Sequence, residues 1–453
     1  MIDPRVASGL RDLPPAMAIP RERMLDAFRK SFATFGFVPI ETPHIERMEV
    51  LTGKGAGSEE VLRQIFEVTN KGGTPGELAL RFDLTVPLAR FIAKHVDQVG
   101  IPFKRYAIGS VFRGERPAKG RFREFVQCDF DTVGLESAVA DAEIAQVIHS
   151  ALSSAGVPDF TIAINNRKVL DGLLDSFGVA EQSGAVLRSL DKLGKIGREG
   201  VLKELSEGET AVMSADQAGR LLDFAEKGRG RGEALELAER ELGNHPGAAE
   251  GIANLRQVLD LLDAGGVPEN RLKIDLGLAR GLDYYTGVVF ETTIVDWERF
   301  GSVASGGRYD NLASLYTSRR LPGVGASIGL DRLLALMDEA GWLTAPASTA
   351  PILVANFPGT EPTIAVKLAT RLRAAGIGAE VYPEPIQVGK QMGYGSSRGH
   401  KLALIVGPAE VEKQIFNLRD LQTRQQREAI PWDELESVVG EMLRTLGENG
   451  GTS

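Results

Sequence analysis

FRGERPAKGRFREFVQCDFDTVG, residues Phe112 to Gly134, is the stretch from which the rest of the chain can be read. Its second half has the composition of a strand, and successive side chains of a strand point to opposite faces. From Arg121 onward, that alternation places Arg121, Arg123, Phe125, Gln127, Asp129 and Asp131 on one face. Phe122, Glu124, Val126, Cys128 and Phe130 fall on the other, which is largely apolar and reads as core. The first face carries two arginines, an aromatic ring, an amide and two acids in a row, a set that is costly to bury without a ligand. At about 3.3 Å per residue, Phe125 and Asp131 stand roughly 20 Å apart, enough for an elongated ligand that is aromatic at one end and cationic at the other.

The first half, RGERPAKGRFR, reads as the loop of a hairpin between two long strands. Arg113 and Glu115 share a parity on the incoming strand, so a guanidinium can meet a phosphate there, and Arg116, Lys119 and Arg121 crowd the loop with positive charge. An aminoacyl-adenylate has the shape and charge order that this face asks for.

Upstream, Leu25, Phe28, Phe32 and Phe35 recur at helical steps after Pro20, with Gly36 as the stop. Phe37 to Pro43 is extended in character and contains two prolines, which suits a sheet edge or an interface. From Leu78 the pattern predicts a strand, a short helix and then the hairpin. Between about 165 and 270, Leu and Ala recur at helical spacing among charged residues, broken by the glycines of KGRGRGE, which predicts an inserted helical module. Strand character returns from Leu272 to Ile294 and at Val303 and Ala304, and a helix carries Leu330, Leu333, Leu334 and Met337. After a linker from Thr344 to Pro351, strands and helices alternate to a last helix at about Trp432 to Leu446, which predicts a small α/β domain with a mixed or parallel sheet.

At 453 residues the chain is long enough for two or three domains. The N-terminal MIDPRVASGLRDL has no apolar run of signal-peptide length and no apolar stretch of membrane-spanning length follows, so a cytoplasmic protein that crosses no membrane is expected. Cys128 is the single cysteine, which excludes an intrachain disulfide and a multi-thiolate metal site. The net charge of -9 argues against bulk attraction to nucleic acid but leaves room for a local basic surface.

FRGERPAKGRFREFVQCDFDTVG resembles motif 2 of the class II aminoacyl-tRNA synthetases in its histidine-specific form. LARGLDYYTGVVFE (278 to 291) and SGGRYD (305 to 310) resemble the two signature peptides of histidyl-tRNA synthetases, GVGASIGLDRLL (323 to 334) class II motif 3, and GFVPIETP, ending at Pro43, motif 1. Several long motifs in family order make coincidence a poor explanation. The regulatory paralogue of ATP phosphoribosyltransferase generally lacks LARGLDYY and the anticodon domain, and Asp131, Tyr285 and SGGRYD speak against a synthetase for proline or threonine. The resemblance implies an α+β fold: an antiparallel sheet of six or seven strands flanked by helices, a helical insertion and a C-terminal α/β anticodon-binding domain. The expected division is a catalytic domain over 1–343, with the insertion at about 165–270, and the anticodon-binding domain over 351–453. A homodimer is also implied. The partners implied are L-histidine, ATP with Mg²⁺, and histidine tRNA, with no protein-only metal site.

By the same resemblance, Arg113 contacts the α-phosphate of ATP, Arg121 and Arg332 hold its β/γ end, Phe125 stacks on adenine and Glu115 lies beside the adenine edge. Arg280 is placed at the α-phosphate as the main stabiliser of the transition state, so that Arg280 and Arg113 are the catalytic pair. Asp131 and Tyr285 are placed at the imidazole ring, Asp83 and Thr85 at the α-amino group, Gln127 near the carboxyl end, and Tyr284 and Tyr309 on the walls. Asp83 and Asp131 stand where the family often has Glu. Arg116 and Lys119 of the loop, and Lys390, Gln391, Tyr394 and Arg398 of VGKQMGYGSSRG, are the expected tRNA contacts. The loop commonly reads ERPQKGR in bacterial members, and Ala118 here lacks the amide that would reach the acceptor end.

Overall fold

The computed structural model describes residues 2–53, 63–208, 211–279, 285–343 and 347–448. Arg280 and Tyr284 therefore lie outside the described residues. The chain divides into two compact units, Met1–Asp12 with Arg23–Ala340, and Leu13–Glu22 with Gly341–Ser453.

In the first unit the strands are β1 (Val38–Pro39), β2 (Ile45–Arg47), β3 (Glu67–Val68), β4 (Leu78–Leu80), β5 (Phe103–Phe112), β6 (Glu124–Val133), β7 (Phe160–Asn166), β8 (Arg229–Gly230), β9 (Leu272–Asp275), β10 (Val288–Ile294), β11 (Ala304–Tyr309) and β12 (Gly323–Gly329). Among the described residues nine of them form one sheet in the order β1-β5-β6-β12-β11-β10-β7-β9-β8. Its six central strands, β5 to β7 in that order, are antiparallel throughout. The expected antiparallel sheet of six strands is thus present, extended by short strands: β1 runs parallel to β5 at one edge and β9 parallel to β7 near the other. β2, β4 and β3 make a separate small sheet.

Val126, Cys128 and Phe130 of β6 are buried as the apolar face of the strand requires. The ring of Phe130 lies 5.0 Å from Phe32 of the helix Pro15–Thr34, and Phe28 and Phe32 are fully buried. Beside it runs the helix Ala138–Ser154, joined to the first by a 2.8 Å hydrogen bond between the hydroxyls of Ser31 and Ser150. These helices close one face of the sheet and leave the polar face of β6 to the other side. The first helix begins before Pro20 rather than after it, and takes that proline into its body.

Among the described residues between Arg167 and Ala264 the elements are helices apart from β8, whose two residues pair with β9 and so tie the insertion to the main sheet. The helix Thr85–Val99 is longer than the short one expected. In the second unit β13 (Ile352–Val354), β14 (Ala379–Val381), β15 (Leu402–Ile405), β16 (Ile415–Asp420) and β17 (Gln426–Pro431) form a mixed sheet in the order β14-β13-β15-β16-β17. Its core joins Ile352, Val354, Leu402, Leu404, Phe416 and Leu418 to Leu368 and Leu372 of the helix Pro362–Ala374.

Candidate active site

The polar face of β6 opens into a cavity of about 310 Å³. Phe125, Gln127, Asp129 and Asp131 line it in sequence along the strand. On one side β12 sets Ser327 opposite Asp129 and Gly325 opposite Asp131; on the other β5 sets Arg105 opposite Asp131. Gly325 makes room for the acid, since a Cβ there would stand 2.0 Å from Asp131 Oδ1. Asp83, Thr85, Arg113, Glu115, Arg121, Tyr285, Tyr309 and Arg332 complete the set of expected residues that the fold brings to this one cavity.

Its two ends differ in charge. At one, the Arg113 guanidinium lies 5.2 Å from the centre of the Phe125 ring, and its Nε donates to the Phe82 carbonyl at 3.0 Å. Arg121 stands 3.7 Å from Glu115, and Arg332 donates to the Ser302 carbonyl at 2.7 Å. At the other end Asp131 accepts from the Tyr309 hydroxyl at 2.6 Å and pairs with Arg105 at 2.7 Å. Asp83 Oδ1 accepts from the Val86 amide at 3.0 Å, which fixes it at the start of the helix Thr85–Val99.

Strict alternation fails at the start of the stretch. β6 begins at Glu124, and an isolated bridge between Ala118 and Arg121 turns the preceding backbone. Phe122, expected in the core, lines the cavity, whereas Arg123 turns away and donates to the carbonyls of Ser8 and Glu115.

Arg105, which the sequence did not single out, and Asp129, which it placed on the polar face without a role, gain weight here. Arg105 is fully buried, and its Nε and Nη1 have no hydrogen-bond partner among the described residues. Asp129 is 2% exposed, with Oδ1 likewise unpartnered. Burial pushes the Asp129 carboxyl from 3.8 up to about 7, opposed by Arg105 and reinforced by Asp131. Burial also raises Asp83 to about 6, opposed by the Val86 amide and by Arg113. Within FKRYAIGS nothing separates Arg105 from its basic neighbour Lys104, and only its position opposite Asp131 identifies it as a counter-ion.

A native state that holds protons the unfolded chain has released loses stability as the pH rises. For Asp129 the window runs from about 4 to about 7. Asp129→Asn cannot ionise, so its stability relative to the wild type is expected to climb as the pH goes from about 4 to 7 and to level off above that, by up to about 1.4 kcal/mol per unit. Urea unfolding of the two proteins across that range measures the difference, and parallel curves would refute the assignment.

In the second unit, Lys390, Tyr394 and Arg398 recur at four-residue steps on one face of the helix Val388–Arg398. Lys390 and Arg398 are exposed, with the Arg398 guanidinium 5.4 Å from the Tyr394 ring. The Tyr394 hydroxyl donates to Glu380 at 2.5 Å. Gln391 corrects the expectation of a tRNA contact. It is fully buried, its Oε1 accepts from the Asn356 amide, and its Nε2 donates to the carbonyls of Asn356 and Ile386. Of the loop residues, Arg116 is exposed and Lys119 pairs with Glu339.

Comparison with known proteins identifies the family. The family model described as histidyl-tRNA synthetase matches residues 9–333. The chain belongs to the histidyl-tRNA synthetase family. An anticodon-binding-domain model matches residues 352–442 of this synthetase. Proteins named histidine–tRNA ligase resemble it closely: that of Rhodopirellula baltica is 49% identical over 94% of this chain and 96% of its own length. That of Wolinella succinogenes is 44% identical over 97% and 98%. The crystal structure of histidyl-tRNA synthetase from Nostoc sp. PCC 7120 superposes with a TM-score of 0.87 at 35% identity, covering 97% of this chain and all of the other. No described helix of the synthetase is long and apolar enough to cross a membrane.

Proposed function

We propose that this synthetase activates L-histidine with ATP in the cavity over β6, releasing pyrophosphate, and then esterifies the 3′-terminal adenosine of histidine tRNA, releasing AMP. The observation that carries the reading is the order of side chains along one strand. An aromatic ring beside an arginine comes first, then an amide, then two buried carboxylates.

In the first step the histidine carboxylate attacks the α-phosphorus, and negative charge gathers on the phosphate oxygens, where fixed cations lower its energy most. Arg113, whose Nε is held by Phe82, offers its two Nη groups to the α-phosphate. Arg280 acts at the same phosphate, Arg121 and Arg332 hold the β/γ end, Phe125 stacks on adenine, and Glu115 lies at the adenine edge. Asp83 and Thr85 take the α-ammonium and Gln127 the carboxyl end. Asp131, oriented by Arg105 and Tyr309, faces the imidazole together with Tyr285, and Tyr284 lies nearby. A site built to pair both ring nitrogens rejects side chains that leave a buried donor or acceptor unpaired.

In the second step a ribose hydroxyl attacks the mixed anhydride and a phosphate oxygen of the adenylate accepts its proton. Mg²⁺ belongs to this scheme as part of the ATP substrate, held through phosphate oxygens. Residues 1–343 serve as catalytic domain and 351–453 as anticodon reader. Lys390, Tyr394 and Arg398 meet the anticodon arm, and Arg116 and Lys119 the acceptor end. The extended segment ending at Pro43 forms a homodimer interface in a cytoplasmic enzyme.

Purified protein is expected to exchange labelled pyrophosphate into ATP only when histidine is present. No exchange, or equal exchange with another amino acid, would remove this reading.

A further inference from the structure

The residues Ser8 to Arg11 lie against the loop that joins β5 to β6 and touch it at several points. The amide of Arg123 donates to the Gly9 carbonyl at 2.9 Å, and the Arg123 guanidinium to the Ser8 carbonyl at 3.2 Å. Arg11 lies 3.8 Å from the centre of the Phe122 ring and pairs with Asp331 at 2.5 Å. The other oxygen of Asp331 accepts from the Val126 amide of β6 at 2.6 Å. Phe122 and Asp331 both line the cavity, beside Arg121 and Arg332.

We propose that Arg11 is a positioning residue for the nucleotide: it cancels the charge of Asp331 at the phosphate end of the cavity and clamps Phe122, so that the loop bearing Arg113, Glu115 and Arg121 is held closed over ATP. The electrostatic part follows from Asp331 itself. Asp331 is 6% exposed and is held in place by the Val126 amide, so it cannot swing out of the cavity. Without Arg11 it becomes a fixed, poorly solvated anion in the cavity that would take the polyphosphate, and like charges repel more strongly where water is excluded. The mechanical part follows from Gly9. It adopts a φ of +82°, and a Cβ there would stand 2.7 Å from Arg123 Cδ and 2.9 Å from Pro117 Cγ. The segment therefore packs on the loop too closely for any side chain at that position.

The inference rests on the proposed nucleotide end of the site. Its test is steady-state exchange with ATP and histidine varied separately. Arg11→Ala is expected to raise the KM for ATP about tenfold, the scale of a lost charge-assisted bond, with the KM for histidine unchanged. Adding Asp331→Asn, which removes the charge while keeping an acceptor for Val126, is expected to recover much of that loss. A role in folding alone would show neither the selectivity for ATP nor the recovery. Should Arg11→Ala fail to fold, Arg11→Lys keeps the charge opposite Asp331 but gives up the planar stack, and is expected to give a smaller rise of the same selectivity. Gly9→Ala, which presses on the loop from the other side, is expected to raise the KM for ATP as well. Equal rises in both KM values, or no rise in folded variants, would overturn the proposal while leaving the proposed reaction standing. Loss of histidine-dependent exchange in the wild type would instead remove the reaction itself.

Discussion

Asp131→Ala is expected to destabilise the protein by about 3 to 5 kcal/mol, the usual cost of removing one partner from a buried ion pair. Arg105 is fully buried, so a cationic side chain is left in the core without its partner when the carboxyl group 2.7 Å away is deleted. The Tyr309 hydroxyl loses its acceptor in the same change. Asp129 is the neighbour placed to answer. Freed from Asp131 and close to Arg105, it should give up its proton at a lower pH than in the wild type. Replacing both members together, as Arg105→Met with Asp131→Leu, is expected to restore most of the stability, because two apolar side chains leave no stranded charge. Histidine-dependent exchange should be lost in the single and the double variant alike. Urea unfolding at neutral pH checks the stabilities, and an Asp131→Ala protein as stable as the wild type would show that Arg105 does not depend on this acid.

Arg113→Ala is expected to slow adenylate formation by about a hundredfold to a thousandfold, the range seen when one fixed donor is removed from a charge-gathering centre. The KM for histidine should move little, because Arg113 lies at the opposite end of the cavity from Asp131. Arg113→Lys should recover only part of the rate. The arginine bonds the Phe82 carbonyl through Nε while its terminal groups remain available, and a single ammonium cannot do both. Single-turnover formation of the adenylate measures this, and a rate close to that of the wild type would take Arg113 out of the chemistry.

The sequence was legible where one physical rule acted alone. Between Phe125 and Asp131 the strand is hydrogen-bonded on both sides for most of its length, so side-chain parity decides which groups reach the cavity. At Phe122 and Arg123 the bridge between Ala118 and Arg121 resets the backbone, and parity counted from Arg121 gives the wrong face. Gln391 shows the same limit in a helix. It is one residue from the exposed Lys390, and the rotation of that one step turns it into the core, where its amide braces Asn356. β17 passed unseen because QREAIP is polar and five of its six residues are exposed, so that no apolar alternation marks it as a strand. Arg105 could be understood only from its partner across the ladder, a relation that no local window contains.

Because neighbours on both sides grip β6, the intervals between the groups at 125, 127, 129 and 131 are set by the repeat of the backbone and not by the shape of any loop. Lengthening or exchanging surface loops would leave that spacing as it is. Redirecting the enzyme to a different amino acid would therefore have to be written at those alternate positions and at Gly325 and Gly307, the facing places where a missing Cβ gives Asp131 and Tyr285 their room.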